Sequence, residues 1–289
     1  MSCVYTVSFD IFLHLWQISR KIGTMEIIPA YKPVGVTSTD VVVYYKKKLG
    51  RDDIMHAGAL DPMAQGLLLV VLGASVAKEI ETIVDWPKEY EVTGLIGFET
   101  DTWDILGRVL STAYSNEISK YPPSIDIKML ERYFSHLEGE IDQQVPIFSN
   151  LRYRNKRMYQ WAREGKAYLV PEYRRKKKIY ASELKSIEYV TVTFLKNEIP
   201  KKIKQVSGDF RQVQIMQDWE QTLSLIEERF SDTGAFPFFN ATISSEKGTY
   251  VRSIIQAMGK HIGIPATTWS IQRTRIGKYS ADSADHPLD

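Results

Sequence analysis

Cysteine is nearly absent from this 289-residue chain, Cys3 being the only one. That excludes a disulfide framework, a zinc knuckle and a thiol pair. The five histidines are scattered, and no His/Cys/carboxylate cluster has metal-ligand spacing, so no metal is expected. No uninterrupted apolar run is long enough to span a membrane. The first residues, Met1 to Thr24, place Asp10 and His14 inside an apolar stretch with no basic residue ahead of it, a poor signal peptide. They are also short of the arginine and serine of a transit peptide. They read as an N-terminal extension upstream of an alternative start at Met25, and the expected location is cytoplasmic. No phosphate loop, nucleotide fingerprint, internal repeat or low-complexity segment occurs. The net charge of +2 does not by itself point to nucleic acid.

What remains is an ordinary globular composition, 44% hydrophobic and 25% charged, fitting one large domain or a domain with an insertion. Within it one stretch stands out, Met55-His56-Ala57-Gly58-Ala59-Leu60-Asp61-Pro62-Met63-Ala64-Gln65-Gly66. Glycines at 58 and 66 permit tight turns, and Pro62 keeps Asp61 out of a helix. The apolar run Leu67–Leu72 that follows has the length of a buried strand. The pattern therefore sets one carboxylate on a rigid loop at the edge of a core. Asp-Pro is also a common turn pair, and these residues alone do not decide between the two.

Lys32-Pro33-Val34-Gly35-Val36-Thr37-Ser38 is a turn ending in helix-capping residues, with a helix over Thr39–Leu49 closed by Gly50. A second short helix is expected over Gly73–Ile83. Lys88–Gly97 alternates like a strand, with Tyr90, Val92 and Leu95 on buried or site-facing positions. Thr100–Gly107 carries Asp101 and Asp104, read mainly as turn formers. Ile125–Gly139 is helical in pattern. From Leu151 to Lys178, eleven basic residues face only Glu164 and Glu172, with five aromatic residues interleaved. Charge runs are usually solvated faces, but this interleaving favours phosphates and stacked bases. Met216, Trp219, Leu223, Ile226 and Phe230 form an amphipathic stripe for packing. A short strand at Thr242–Ser244 precedes a helix carrying Val251, Ile254, Ile255, Met258 and Ile262, with Arg252 off the stripe and free to pair with a carboxylate.

In order along the chain, these stretches resemble the TruB family of tRNA pseudouridine synthases. Lys32-Pro33-x-Gly35-x-Thr37-Ser38, His56-x-Gly58-x-Leu60-Asp61-Pro62-x-Ala64-x-Gly66, and Lys88-x-Tyr90-x-Val92 with Gly97 and Thr100-Asp101-Thr102-x-Asp104-x-x-Gly107 are similar to its first three motifs. Gln144–Ser149 with Tyr159-x-x-Ala162-Arg163-Glu164-Gly165 resembles its RNA-gripping thumb, and Lys247-Gly248-Thr249-Tyr250-Val251-Arg252 its last core motif. Ile147 and Asn150 depart from the thumb pattern, and Ile271-Gln272-Arg273 replaces a Leu-Arg-Arg-like triplet. The segment from about Lys196 to Pro237 is longer than usual, and no terminal RNA-binding module is expected after Ser280.

The resemblance implies a mixed α/β (α+β) fold: a largely antiparallel central sheet with flanking helices, catalytic domain 25–280, a thumb inserted at about 143–178, and a tail 281–289. It implies isomerisation of the T-loop uridine of tRNA to pseudouridine, with Asp61 as catalytic nucleophile and the base flipped out. Arg252 would orient Asp61, Tyr90 would stack on the uracil, Tyr250 and Ile271 would line the base pocket, and His56 would fill the vacated space. Lys32, Arg152, Arg154, Arg157 and Arg163 would contact RNA. No cofactor is implied, and the chain would act as a monomer on the tRNA T-arm. Two alternatives remain open at this point: an RNA chaperone that refolds tRNA, and a guide-RNA-dependent relative.

Overall fold

A computed structural model describes residues 25–73, 76–114, 125–208, 210–230 and 236–288; the expected extension over residues 1–24 lies outside them. In chain order the first half contains β1 (Glu26–Lys32), α1 (Ser38–Leu49), β2 (Ile54–Ala57), β3 (Gln65–Leu72), α2 (Val76–Asp85), β4 (Lys88–Ile96), β5 (Phe98–Thr100), β6 (Val109–Thr112), α3 (Ile127–Ser135) and β7 (Gly139–Gln144). The second half contains β8 (Arg152–Tyr153), β9 (Lys156–Arg157), α4 (Met158–Arg163), β10 (Arg174–Val190), α5 (Val192–Gln205), α6 (Gln212–Phe230), β11 (Phe236–Ser245), α7 (Val251–Ile262), β12 (Ala266–Ile276) and β13 (Tyr279–Ser280).

Among the described residues nine strands form one sheet, ordered β1-β3-β12-β4-β11-β10-β7, with β2 on β3 and β13 on β12. Every pairing is antiparallel except β3 with β12. This is the mixed α/β architecture with a largely antiparallel sheet that the resemblance implied. The two-residue period of β4 splits its side chains between the faces. Tyr90, Val92 and Ile96 join Phe239, Ile271 and the helices α3 and α7 in one apolar cluster. Leu95 is buried as expected but on the opposite face, with Phe98, Phe236, Phe238 and Trp269. That second face is covered by α5 and α6, whose stripe buries Trp219, Leu223 and Ile226. Trp219 also donates its indole N–H to the Ile105 carbonyl at 3.2 Å, so its single polar atom is satisfied inside the core.

Local chemistry sets the boundaries. Thr37 caps α1 through a reciprocal box: its backbone N–H donates to Asp40 Oδ2 at 2.7 Å, and its hydroxyl accepts from the Asp40 N–H. The expected helix over Ile125–Gly139 stops at Ser135, and Gly139 already begins β7. The expected short strand at Thr242–Ser244 is ten residues long, because Phe236, Phe238 and Phe239 extend it across the sheet. The basic run is also not one surface. Arg174, Lys176 and Lys177 on β10 pair with Asp142, Glu140 and Glu246, acids that the sheet and its following loop bring from outside the run.

Trp219 is 1% exposed and Leu225, on the same helix, 60%. Trp219→Ala should lower unfolding free energy by about 3–5 kcal/mol in urea titrations. Leu225→Ala should stay within about 0.5 kcal/mol of the parent.

Candidate active site

The loop between β2 and β3 carries Asp61, and the first motif cradles that loop from below. Lys32 Nζ donates to the Ala64 carbonyl at 2.6 Å, Gly35 N–H to the Pro62 carbonyl at 2.9 Å, and the Leu60 N–H to Ser38 Oγ at 2.9 Å. The spacing of Lys32, Gly35 and Ser38 is thus the spacing of three backbone groups around Asp61. From the other side Arg273, 1% exposed, donates to the carbonyls of Leu67 at 2.8 Å and Gly58 at 3.1 Å. Gly66 allows this close approach: a Cβ there would lie 2.3 Å from the Arg273 carbonyl oxygen.

Arg252, in the first turn of α7, is only 3% exposed even though it lies off the helix's apolar stripe. Its Nε donates to Asp61 Oδ2 at 2.8 Å, one terminal nitrogen to the Thr102 carbonyl at 2.6 Å, and the other to the Phe148 carbonyl at 3.0 Å. The guanidinium is therefore a three-way junction between the Asp61 loop, the 100–107 turn and the 144–149 segment, and not a two-pronged fork on one carboxylate. Asp104 Oδ2 lies 3.7 Å from the same Nε. Asp104 makes the turn bonds expected of it, accepting from Thr102 Oγ1 at 2.7 Å and the Leu106 N–H at 2.9 Å. It is also a buried second carboxylate of the site, its pKa raised to about 6 by burial against the opposing pull of Arg252. Burial by itself would lower the Arg252 pKa; the two carboxylates outweigh it and leave the group above the ordinary arginine value.

Asp61 is anchored by one oxygen and open at the other. Its side chain is 37% exposed, and Oδ1 accepts no hydrogen bond among the described residues. It faces a cleft of about 690 Å³ whose walls include His56, Asp104, Phe148, Arg157, Arg163 and Arg252. The His56 pKa is lowered by burial and by the Arg273 charge, and its Nδ1 is buried without a partner among the described residues. A neutral ring follows at neutral pH.

Of the residues singled out from sequence, the structure brings Asp61, Arg252, His56, Arg157 and Arg163 together around this cleft. Tyr90 and Ile271 pack beneath the loop with Leu60 and Met63, outside the cleft lining. Tyr250 precedes α7 and is held by Gln143, whose side chain accepts from its N–H at 2.8 Å and donates to its carbonyl at 3.1 Å. Arg154 lies over the Tyr153 ring, and Arg152 donates to the Asn155 carbonyl; both are exposed and away from the cleft lining. Asn150, one of the departures from the thumb pattern, accepts from Arg157 at 3.1 Å and pins that side chain. Lys32 is 0% exposed and donates to the Pro33 and Ala64 carbonyls, so it is held as a strut of the loop. Gln143 and the Phe148 carbonyl were invisible to sequence reasoning because nothing in a chain marks which backbone group a distant side chain will meet. Among the described residues, no group of three or more His, Cys, Asp or Glu side chains could hold a metal ion, and no helix is long and apolar enough to cross a membrane.

A deep cleft beside an antiparallel sheet, with a half-open carboxylate held by a buried arginine and basic side chains on the rim, defines an enzyme site for an anionic substrate. The family profile described as TruB family pseudouridylate synthase (N terminal domain) matches residues 46–217. The tRNA pseudouridine synthase B of Lactobacillus delbrueckii subsp. bulgaricus is 31% identical over 274 residues, covering 91% of this chain and 75% of that protein. Its counterpart from Lactobacillus gasseri is 31% identical over 261 residues, covering 89% and 70%. In fold, the chain is similar to a solved chain of a Cbf5-Nop10-Gar1 complex, with a TM-score of 0.50 and 22% identity over 88% of this chain. It spans about half (49%) of that longer chain. This chain belongs to the TruB family of pseudouridylate synthases.

Burial lowers the Lys32 ammonium pKa from 10.5 to about 7, with Asp61 opposing the shift. The unfolded chain therefore binds this proton more tightly, so stability should rise with pH between about 7 and 10.5 and be lost as pH falls towards 7. Lys32→Met should show a smaller increase in urea midpoint from pH 7 to pH 9 than the parent.

Proposed function

We propose that the chain isomerises the T-loop uridine of tRNA to pseudouridine, with Asp61 as the catalytic nucleophile. The observation that carries this reading is the asymmetry of Asp61: one oxygen is fixed by a buried guanidinium and the other is open to a cleft with a basic rim. The reaction breaks the bond from ribose C1′ to uracil N1, rotates the base, and forms a bond from C1′ to C5. The proton lost from C5 is balanced by one gained at N1, and no electrons are exchanged with a cofactor. Asp61 attacks or deprotonates the ribose side of this exchange with its open oxygen. Arg252 holds the carboxylate aimed, with no reorganisation needed during the reaction.

A uridine stacked within the T-loop must be flipped into the cleft, at a cost of a few kcal/mol. The neutral His56 ring on the cleft wall suits the space the base vacates. Tyr90 and Ile271, packed under the loop with Leu60 and Met63, and Tyr250 at the start of α7 are proposed to receive the uracil. Arg157 and Arg163, on the proposed thumb over about 143–178, supply charge for the RNA backbone. The chain is proposed to act alone in the cytoplasm, as a monomer and without a guide RNA.

Pseudouridine formed in a T-arm stem-loop by the purified chain tests the substrate and the independence from a guide together. Asp61→Asn should abolish product while RNA affinity stays within about twofold; undiminished product would remove Asp61 from the chemistry. Arg252→Lys should lose about 10²–10³ in turnover, because one ammonium cannot reach all three acceptors, with RNA affinity little changed. A large loss of affinity would instead make Arg252 an RNA contact.

A further inference from the structure

The strands β10 and β11 are hydrogen-bonded neighbours, yet α5 and α6 are interposed between them. The apolar faces of those helices are accounted for by the second core. The connection between them is not, because it leaves that core and reaches the Asp61 cleft, where Phe210 and Arg211 form part of the wall. It is pinned at both ends. Ser207 donates through its N–H at 3.0 Å and its hydroxyl at 2.8 Å to the Gly35 carbonyl of the first motif. The fit leaves no room for a side chain, since a Cβ on Gly35 would lie 2.0 Å from the Gln205 carbonyl oxygen. At the other end Arg211 adopts a left-handed backbone (φ 64°). Its guanidinium pairs with both oxygens of Asp101, at 2.7 and 3.3 Å, and covers the Phe148 ring at 4.7 Å. A non-glycine residue in that region persists where its surroundings over-determine it, and such residues concentrate at functional sites.

Phe210 is thereby placed against Arg163 of α4. The Arg163 guanidinium lies 4.6 Å from the Phe210 ring centre and 5.4 Å from that of Tyr159. It is exposed and makes no hydrogen bond or ion pair among the described residues. A guanidinium held over aromatic faces keeps its in-plane N–H groups available, which is the geometry that takes a phosphate in two prongs.

We infer that the α5–α6 connection is a second RNA-binding wall of the cleft, in which Phe210 positions Arg163 to bind a backbone phosphate beside the isomerised uridine. The inference rests on the RNA-modifying function proposed above, and it gives the lengthened segment a role that none of the recognised motifs carries. Phe210 is a positioning residue in this arrangement, and Arg163 makes the contact.

The test is a double-mutant cycle on the full chain, reading the Kd of a fluorescein-labelled T-arm stem-loop as a function of salt. Arg163→Gln should weaken binding about tenfold and reduce the slope of log affinity against log salt by about 0.7, the share of one phosphate contact to single-stranded RNA. Phe210→Leu, which keeps apolar bulk without a flat ring, should weaken binding about three- to tenfold, and Phe210→Tyr should restore it. In the Arg163→Gln background, Phe210→Leu should have no further effect, because its contribution passes through Arg163. Wild-type affinity in Phe210→Leu, or losses that simply add, would overturn the inference. Pseudouridine formation by the parent chain is scored separately. Product together with an additive cycle removes the wall and keeps the proposed function, whereas coupling without product keeps the wall and removes the T-arm assignment.

Discussion

Most of the functional architecture hangs on where Arg252 sends its N–H groups. A buried guanidinium is costly to desolvate, and it is tolerated here because every side of it meets an oxygen: the Asp61 carboxylate, the Thr102 and Phe148 carbonyls, and Asp104 nearby. Those acceptors come from three separate loops and the donor from the start of a helix. One side chain therefore ties the sheet's active edge to the segment that leads into the basic arm. It also determines which face of Asp61 stays open, since holding Oδ2 leaves Oδ1 to the cleft.

The Asp61 loop is held by a second set of buried cations that never touch its carboxylate. Lys32 and Arg273 both spend their donors on loop carbonyls, and Ser38 takes the Leu60 N–H. These contacts satisfy backbone groups that would otherwise be stranded at the edge of the core. Of the two, Lys32 feels the Asp61 charge, which opposes the burial that pushes its pKa down to about 7. Rigidity and electrostatics at the site thus come from the same side chains.

The two sheet faces divide the labour. One face carries α3 and α7 and supports the site through the cluster that includes Tyr90, Met63 and Ile271. The other carries α5 and α6, whose packing around Trp219 is ordinary core. Their connection reaches the cleft, where Phe210 and Arg211 form part of the wall.

Much of this was legible in the chain before it was folded. The two-residue alternation of β4, the capping box at Thr37 and Asp40, and the amphipathic stripe around Trp219 follow from local periodicity and local hydrogen bonding. The ordered motifs identified Asp61 and Arg252 as residues to be paired although 191 positions separate them. The structure decided what depends on which groups meet. It made Lys32 a buried strut, brought Asp104 into the site in addition to its turn, and routed Arg252 to two carbonyls that have no signature in sequence. It balanced the basic run on β10 with acids from β7 and the β11–α7 loop, and placed Phe210 opposite Arg163. Periodicity is written within a few neighbouring residues, whereas burial and the partner of a long polar side chain are properties of the packed whole.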